Sequence, residues 1–226
     1  MATSTRKSRK IIVNIATSAD GYIARPNDNI EWLTSRPAPK GFYGMGRFMQ
    51  SIDTKLLGRK TYELSLRMGA KFDRHYVFSR RPPPASVPTG AEFISGAINS
   101  FAKRLKNEKG KDIWMMGGGD LIASFLDEGA IDEFIISIVP VFIGDGIPLI
   151  APRHRHVPLR LRSLKRFPDG VVQVHYSVGE TIGNRDRKGP YSPSLPHHRA
   201  YGSVHGGSDS YALLLSDNLG SPIASK

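Results

Sequence analysis

The chain has 226 residues, 39% of them hydrophobic, enough for one domain of ordinary size with a substantial core. It contains no cysteine, which excludes disulfides, thiolate nucleophiles and cysteine metal sites, and no apolar run approaches the roughly 18 residues of a helical membrane span. The formal charge of +12, with a pI near 10.0, favours polyanionic partners such as nucleic acid, anionic lipid or phosphorylated small molecules.

The N-terminus is basic without an apolar stretch before a cleavage site, so no secretory signal is read and a cytoplasmic location is expected. Residues 1–9 form a basic extension. From residue 10 to 179, strand-like and helix-like segments alternate. Residues 10–16 are β-rich and apolar, and end in a polar loop over 17–29. Phe42, Met45, Phe48, Met49 and Ile52 recur at spacings of three and four, predicting a helix over 41–52. Residues 54–57 read as a short buried strand, followed by Gly58 and a helix through Leu66. A strand over 74–79 is broken by 80–84, and 92–94 form another short strand. Ile98, Phe101 and Leu105 mark a helix to about Asn107.

Residues 113–116 are an apolar strand running into Gly117, Gly118 and Gly119, after which a helix spans 120–127. Residues 133–141 form the longest apolar strand. Gly144-Asp145-Gly146 reads as a turn, and 159–167 and 171–178 as a hairpin around Pro168-Asp169-Gly170. The expected fold is a three-layer α/β/α sandwich with a mostly parallel sheet and an antiparallel C-terminal edge hairpin. Beyond residue 180, Gly, Pro and Ser dominate and large apolar side chains are scarce, so a disordered tail is expected over 180–226.

Three strand ends carry groups suited to an anion. Glycines at 117–119 let backbone N–H groups approach a ligand, and a helix start favours phosphate through its free donors and dipole. Arg59 and Lys60 stand at another helix start, where cations oppose the dipole unless an anion is near. Ser79 supplies a hydroxyl, and Arg80 a planar fork. Together they point to one extended anionic ligand, of which a dinucleotide with an extra phosphate is the natural candidate. His154-Arg155-His156 and His197-His198 lack the third ligand and spacing of a zinc site, so no metal is expected.

The order of these motifs resembles the dihydrofolate reductase superfamily. Residues 15–24 (IATSADGYIA) resemble its first strand and loop; 57–62 (LGRKTY), 78–80 (FSR) and 116–119 (MGGG) follow in that family's order. Residues 129–133 (GAIDE) and 139–149 (VPVFIGDGIPL) resemble the subgroup containing the reductase domain of the riboflavin-biosynthesis deaminase-reductase. The resemblance covers residues 10–179 and implies an NADPH-dependent oxidoreductase. It implies that Gly58, Arg59 and Thr61 contact NADPH, with Arg59 near the adenosine 2′-phosphate and Ser79 and Arg80 at the same end. Gly117, Gly118, Gly119, Asp120 and Leu121 would line the pyrophosphate and nicotinamide side, with Ala16 and Ile23 flanking the nicotinamide.

Asp20, Asp28 and Glu31 are the candidate general acids, a role that requires burial to raise the carboxyl pKa. The expected substrate is a pyrimidine- or pteridine-like heterocycle. The subgroup implies 5-amino-6-(5-phosphoribosylamino)uracil, whose phosphate Arg36, Lys40 and Arg47 could meet. The alternatives are another substrate on the same fold, or a non-catalytic basic protein binding nucleotide or nucleic acid. The last is disfavoured because no helix-turn-helix, zinc finger or RNA-recognition signature is visible. The subgroup also implies a homodimer paired through residues 159–178.

Overall fold

The computed structural model describes residues 8–179 except 38, 86, 88 and 89. The predicted tail over 180–226 and most of the N-terminal extension lie outside the described residues.

The chain forms β1 (Ile11–Ser18), β2 (Tyr22–Ala24), α1 (Glu31–Thr34), α2 (Met45–Ser51), β3 (Ile52–Gly58), α3 (Arg59–Arg67), β4 (His75–Phe78) and β5 (Ala91–Ile94). There follow α4 (Ile98–Asn107), β6 (Asp112–Gly117), α5 (Gly119–Asp127), β7 (Glu133–Val139), β8 (Ile147–Pro148), β9 (Leu159–Arg166) and β10 (Val172–Val178). Eight strands make one sheet in the order β5-β4-β3-β6-β1-β7-β10-β9. All pairs from β5 to β7 are parallel, while β7–β10 and β10–β9 are antiparallel. This is the mostly parallel sheet with an antiparallel edge hairpin that the sequence predicts.

Every position of β1 is buried, as a central parallel strand covered on both faces requires. Its alternation assigns the layers. Ile11, Val13 and Ile15 pack with Phe101 and Leu105 of α4 and Phe125 of α5. Ile12, on the opposite face, packs with Phe48 of α2, Tyr62 of α3 and Trp114. Phe125 is fully buried and meets Phe78 edge-on at 5.1 Å. Phe125→Ala is expected to cost about 3–5 kcal/mol, measured as a lower urea midpoint at unchanged slope.

The structure departs from the sequence reading where tertiary pairing, not periodicity, decides. The loop expected over 17–29 contains β2, which pairs with β8. The helix expected over 41–52 begins only at Met45, because Gly41, Phe42, Tyr43 and Gly44 all have positive φ (81°, 43°, 53° and 84°) and make a left-handed turn first. Its far end is cut short by β3, which starts at Ile52 to pair with β6. Arg9, assigned to the basic extension, is instead buried in the domain; its guanidinium bonds the Asp53 carboxylate and Thr54 Oγ1.

Glu133 begins β7 and bonds Lys10 Nζ and His175 Nε2. Burial pushes its carboxyl up, but the Lys10 and His175 bonds outweigh that and hold it below the ordinary value of 4.5. A depressed carboxyl stabilises the fold above its unfolded pKa, and that contribution is lost as pH falls through the folded value. Melting temperatures of wild type and Glu133→Gln are therefore expected to converge as pH drops below 4.5.

Candidate active site

The functional features gather where the parallel strands end. α3 leaves β3 toward β4, while α5 leaves β6 toward β7, so the neighbouring strands β3 and β6 send their helices in opposite directions. Such a switch point opens a crevice at the carboxyl edge of the sheet. Two cavities flank the end of β6: Met116 lines one, and Asp120 and Leu121, just beyond the glycines, line the other.

The second is an open groove of about 420 Å³ lined by Gly58, Ser79, Arg80, Gly96, Ile98 and Asp120, among others. Three helices start beside it. The residues preceding α3, α4 and α5 are Gly58, Ala97 and Gly118, and none makes a side-chain capping bond. Without a side-chain cap, the starts of α4 and α5 present backbone N–H donors to a ligand, and the dipoles of all three helices add positive potential. Asp120, in the first turn of α5, partly offsets that field. The sequence predicts α4 but not the place of its start beside the groove, although Ser95-Gly96 ahead of a periodic helix was a usable signal.

Gly117 has φ 107°, a conformation that favours glycine, and joins Gly118 through a cis peptide bond. A Cβ at Gly119 would stand 2.5 Å from the Pro148 carbonyl oxygen, so α5 is seated directly against β8. The glycine run thus serves both the approach to the groove and the packing beneath it.

Arg59 and Ser79 are brought together, with Nη1 3.4 Å from Ser79 Oγ. The expected mismatch between Arg59 and its helix start is met internally. Nε donates to Glu63 Oε1 at 2.7 Å, one turn along α3, and Nη1 donates to the Pro82 carbonyl at 2.6 Å. Arg80 is exposed on the groove. Thr61 is fully buried in α3. Ile23 is fully buried in the core on the α4–α5 side, whereas Ala16 lines the cavity across β6.

That first cavity is apolar and close to 60 Å³, bounded by β1, β6, β7, β10, α1 and the left-handed turn. Phe42 and Tyr43 of the turn form part of its wall. Two contacts fix Tyr43: its hydroxyl donates to the Asp169 carboxylate, and its carbonyl accepts from Gln173 Nε2 at 3.1 Å. Burial first, and the Asp169 bond second, push the Tyr43 hydroxyl up to about 12. The same bond holds the Asp169 carboxyl below its ordinary range. Arg36 donates to the Asp169 carbonyl at 2.7 Å.

None of the three candidate acids lines this cavity. Asp20 accepts backbone bonds from Ile143 and Gly144, the latter at 2.8 Å, tying the β1–β2 turn to the β7–β8 loop. A Ser18 hydrogen bond is the largest influence on its carboxyl, which lies below the ordinary range; a general acid needs the opposite. Asp28 sits in a turn with φ 67°, and Glu31 is exposed at the start of α1.

Residues 97–173 match the family described as the RibD C-terminal domain. The chain is 40% identical over 172 residues to the uncharacterized protein YwjB of Bacillus subtilis (strain 168), covering 74% of this chain and 97% of that protein. The chain belongs to the RibD C-terminal domain family. A second Bacillus subtilis relative, the uncharacterized protein YyaP, is 33% identical over 189 residues, covering 77% of this chain and 97% of the relative. Among solved structures, a putative riboflavin biosynthesis protein from Shewanella sp. PV-4 superposes with TM-score 0.66 at 27% identity, over 76% of this chain and 99% of that one. A diaminohydroxyphosphoribosylaminopyrimidine deaminase/5-amino-6-(5-phosphoribosylamino)uracil reductase from Thermotoga maritima shares the fold, with TM-score 0.60 at 17% identity, over 77% of this chain and 58% of that one. Membership of this family agrees with the resemblance read from the sequence and supports an oxidoreductase-type role.

Proposed function

We propose that this chain is an NADPH-dependent reductase that holds the dinucleotide in the groove and a pyrimidine- or pteridine-like ring in the apolar cavity. The observation that carries the reading is the convergence of three uncapped helix starts on one groove beside a cavity walled by Ala16. The donor set fits the cofactor: backbone N–H groups at the α4 and α5 starts suit phosphate oxygens, and Arg80, with Arg59 and Ser79 beside it, suits an extra phosphate at the adenosine end.

When bound, NADPH supplies a hydride to the ring. The protein's part is placement and exclusion of water. Ala16 presents only a methyl group, which lets a flat ring approach β1, and the apolar walls keep bulk water away. Among the described residues no carboxyl lines the cavity, and Tyr43 keeps its proton at neutral pH, so the proton is assigned to water.

The test is a fluorescence titration with NADPH and NADH. NADPH is expected to bind more tightly, and Arg80→Ala to weaken NADPH by roughly ten- to hundredfold, as loss of a bond to a charged group does. Arg59→Ala is expected to erode the preference for NADPH over NADH. If neither nucleotide binds, the reading fails.

The same reading includes a homodimer formed through β9. This strand is the sheet's outer edge, and its Leu159, Leu161 and Leu164 are 44%, 57% and 54% exposed. Light scattering is expected to give a dimer mass for wild type and a monomer mass for Leu161→Asp. A monomeric wild type would remove this part of the reading.

A further inference from the structure

The apolar cavity contains a group the fold does not use. Asn14 lies in β1 on the same face as Ala16, is 8% exposed, and lines the cavity. Its side-chain amide has no hydrogen bond within the protein, although its backbone carbonyl accepts from Trp114 Nε1 at 3.0 Å. The amide is accessible from the cavity and unclaimed by the fold, so a ligand that enters can take up its hydrogen-bonding capacity. The neighbouring amide nitrogen is already engaged: Gln173 Nε2 donates to Ser137 Oγ at 3.0 Å and to the Tyr43 carbonyl. Asn14 is left with an N–H donor and a carbonyl acceptor side by side.

We propose that Asn14 reads the amide edge of an uncharged, lactam-bearing ring, and that the substrate carries no phosphate at this site; the inference rests on the reductase reading above. A primary amide offers the donor–acceptor pair that complements the adjacent N–H and C=O of a lactam. The second half follows from charge. Among the described residues no lysine, arginine or histidine lines the cavity, Lys40 and Arg47 included. Arg36 does not line the cavity either; it donates to the Asp169 carbonyl and lies 3.8 Å from its carboxylate. A phosphate arm there would meet mostly apolar walls, with no cation among the described lining residues to replace its hydration.

Size points the same way. The cavity holds about 60 Å³, against about 420 Å³ in the groove. A cavity of about 150 Å³ accommodates benzene. A single ring system therefore enters only if Phe42 or Tyr43 on the left-handed turn gives way.

The experiment uses the full chain and a matched pair of probes, 6-hydroxymethylpterin and its phosphate ester. Each is titrated with and without saturating NADP⁺, following quenching of tryptophan fluorescence, since Trp114 lines the cavity. The pterin is expected to bind at least tenfold more tightly than its ester. Asn14→Leu, similar in volume, is expected to keep a cooperative melting transition and to leave NADPH binding unchanged. It should weaken pterin binding at least tenfold. Equal or tighter binding of the ester, no binding of the pterin, or wild-type pterin affinity in Asn14→Leu would overturn the proposal. Pterin binding that depends on Asn14 in a protein that fails to bind NADPH would instead overturn the reductase reading and leave the ring site standing.

Discussion

Gly119→Ala is expected to lower the melting temperature by roughly 5–10 °C, corresponding to about 2–3 kcal/mol in a chain of this size, and to weaken NADPH at least tenfold. The added Cβ would stand 2.5 Å from the Pro148 carbonyl oxygen and 3.5 Å from that of Leu149. Neither atom can retreat alone. Pro148 belongs to β8, which pairs with β2, Leu149 N donates to the Gly21 carbonyl, and Ala151 N donates to the Gly119 carbonyl at 3.2 Å. Relief therefore moves the first turn of α5, and with it the N–H groups assigned to phosphate. Gly46→Ala in α2 is the control: a Cβ there meets nothing within 4 Å, so the substitution should stabilise by about 0.5–1 kcal/mol. Wild-type melting and NADPH affinity in Gly119→Ala would mean that the α5–β8 contact is slack and unrelated to the groove.

The contrast between these glycines shows where the sequence was legible. Gly117-Gly118-Gly119 announced themselves because an apolar strand ran into them and a periodic helix followed. α4 was equally clear, since Ile98, Phe101 and Leu105 set one face, and the helix spans Ile98–Asn107 as expected. β2, α1 and β8 are two to four residues long, too short for any period to show, and the pairing of β2 with β8 is a tertiary event. The left-handed turn at 41–44 was hidden because Phe42, Met45, Phe48 and Met49 keep helical spacing across it.

The site was legible in halves. The groove proposed for an anion rests on local signals, glycines and basic residues at strand ends, which are visible in the sequence. The ring cavity draws Asn14, Trp114, Ser137 and Gln173 from four strands far apart in sequence. Each reads singly as an ordinary strand residue, and only the register of β1 with β6 and β7, and of β7 with β10, puts them around one space. Asp20 misled for the same reason. A carboxylate beside a glycine loop suits an acid, but its partners, the backbone N–H groups of Ile143 and Gly144, lie more than a hundred residues away.

Arg9 is the other residue whose role required the fold, and it carries the second large prediction. Asp53→Ala is expected to destabilise the domain by about 3 kcal/mol, the scale for breaking a buried ion pair by removing one partner. The Arg9 side chain is only 2% exposed, and that of Asp53 36%. Asp53 also accepts from Thr54 Oγ1 at 2.7 Å and from Lys111 N at 2.8 Å, so its carboxylate holds β3 against both the N-terminal segment and the loop before β6. Without it, Arg9 keeps Thr54 Oγ1 at 2.7 Å and the Lys111 carbonyl, but its nearest remaining carboxylate is Glu108 at 3.9 Å. The cost is then mostly that of an uncompensated buried guanidinium, and removing the cation as well should recover part of it. Urea denaturation of Asp53→Ala, Arg9→Met and the double variant forms the cycle. The double variant is expected to be less destabilised than the two singles added together, by at least about 1 kcal/mol. Additive losses would show that Arg9 reaches water when Asp53 is gone and that the N-terminal segment is held by packing alone.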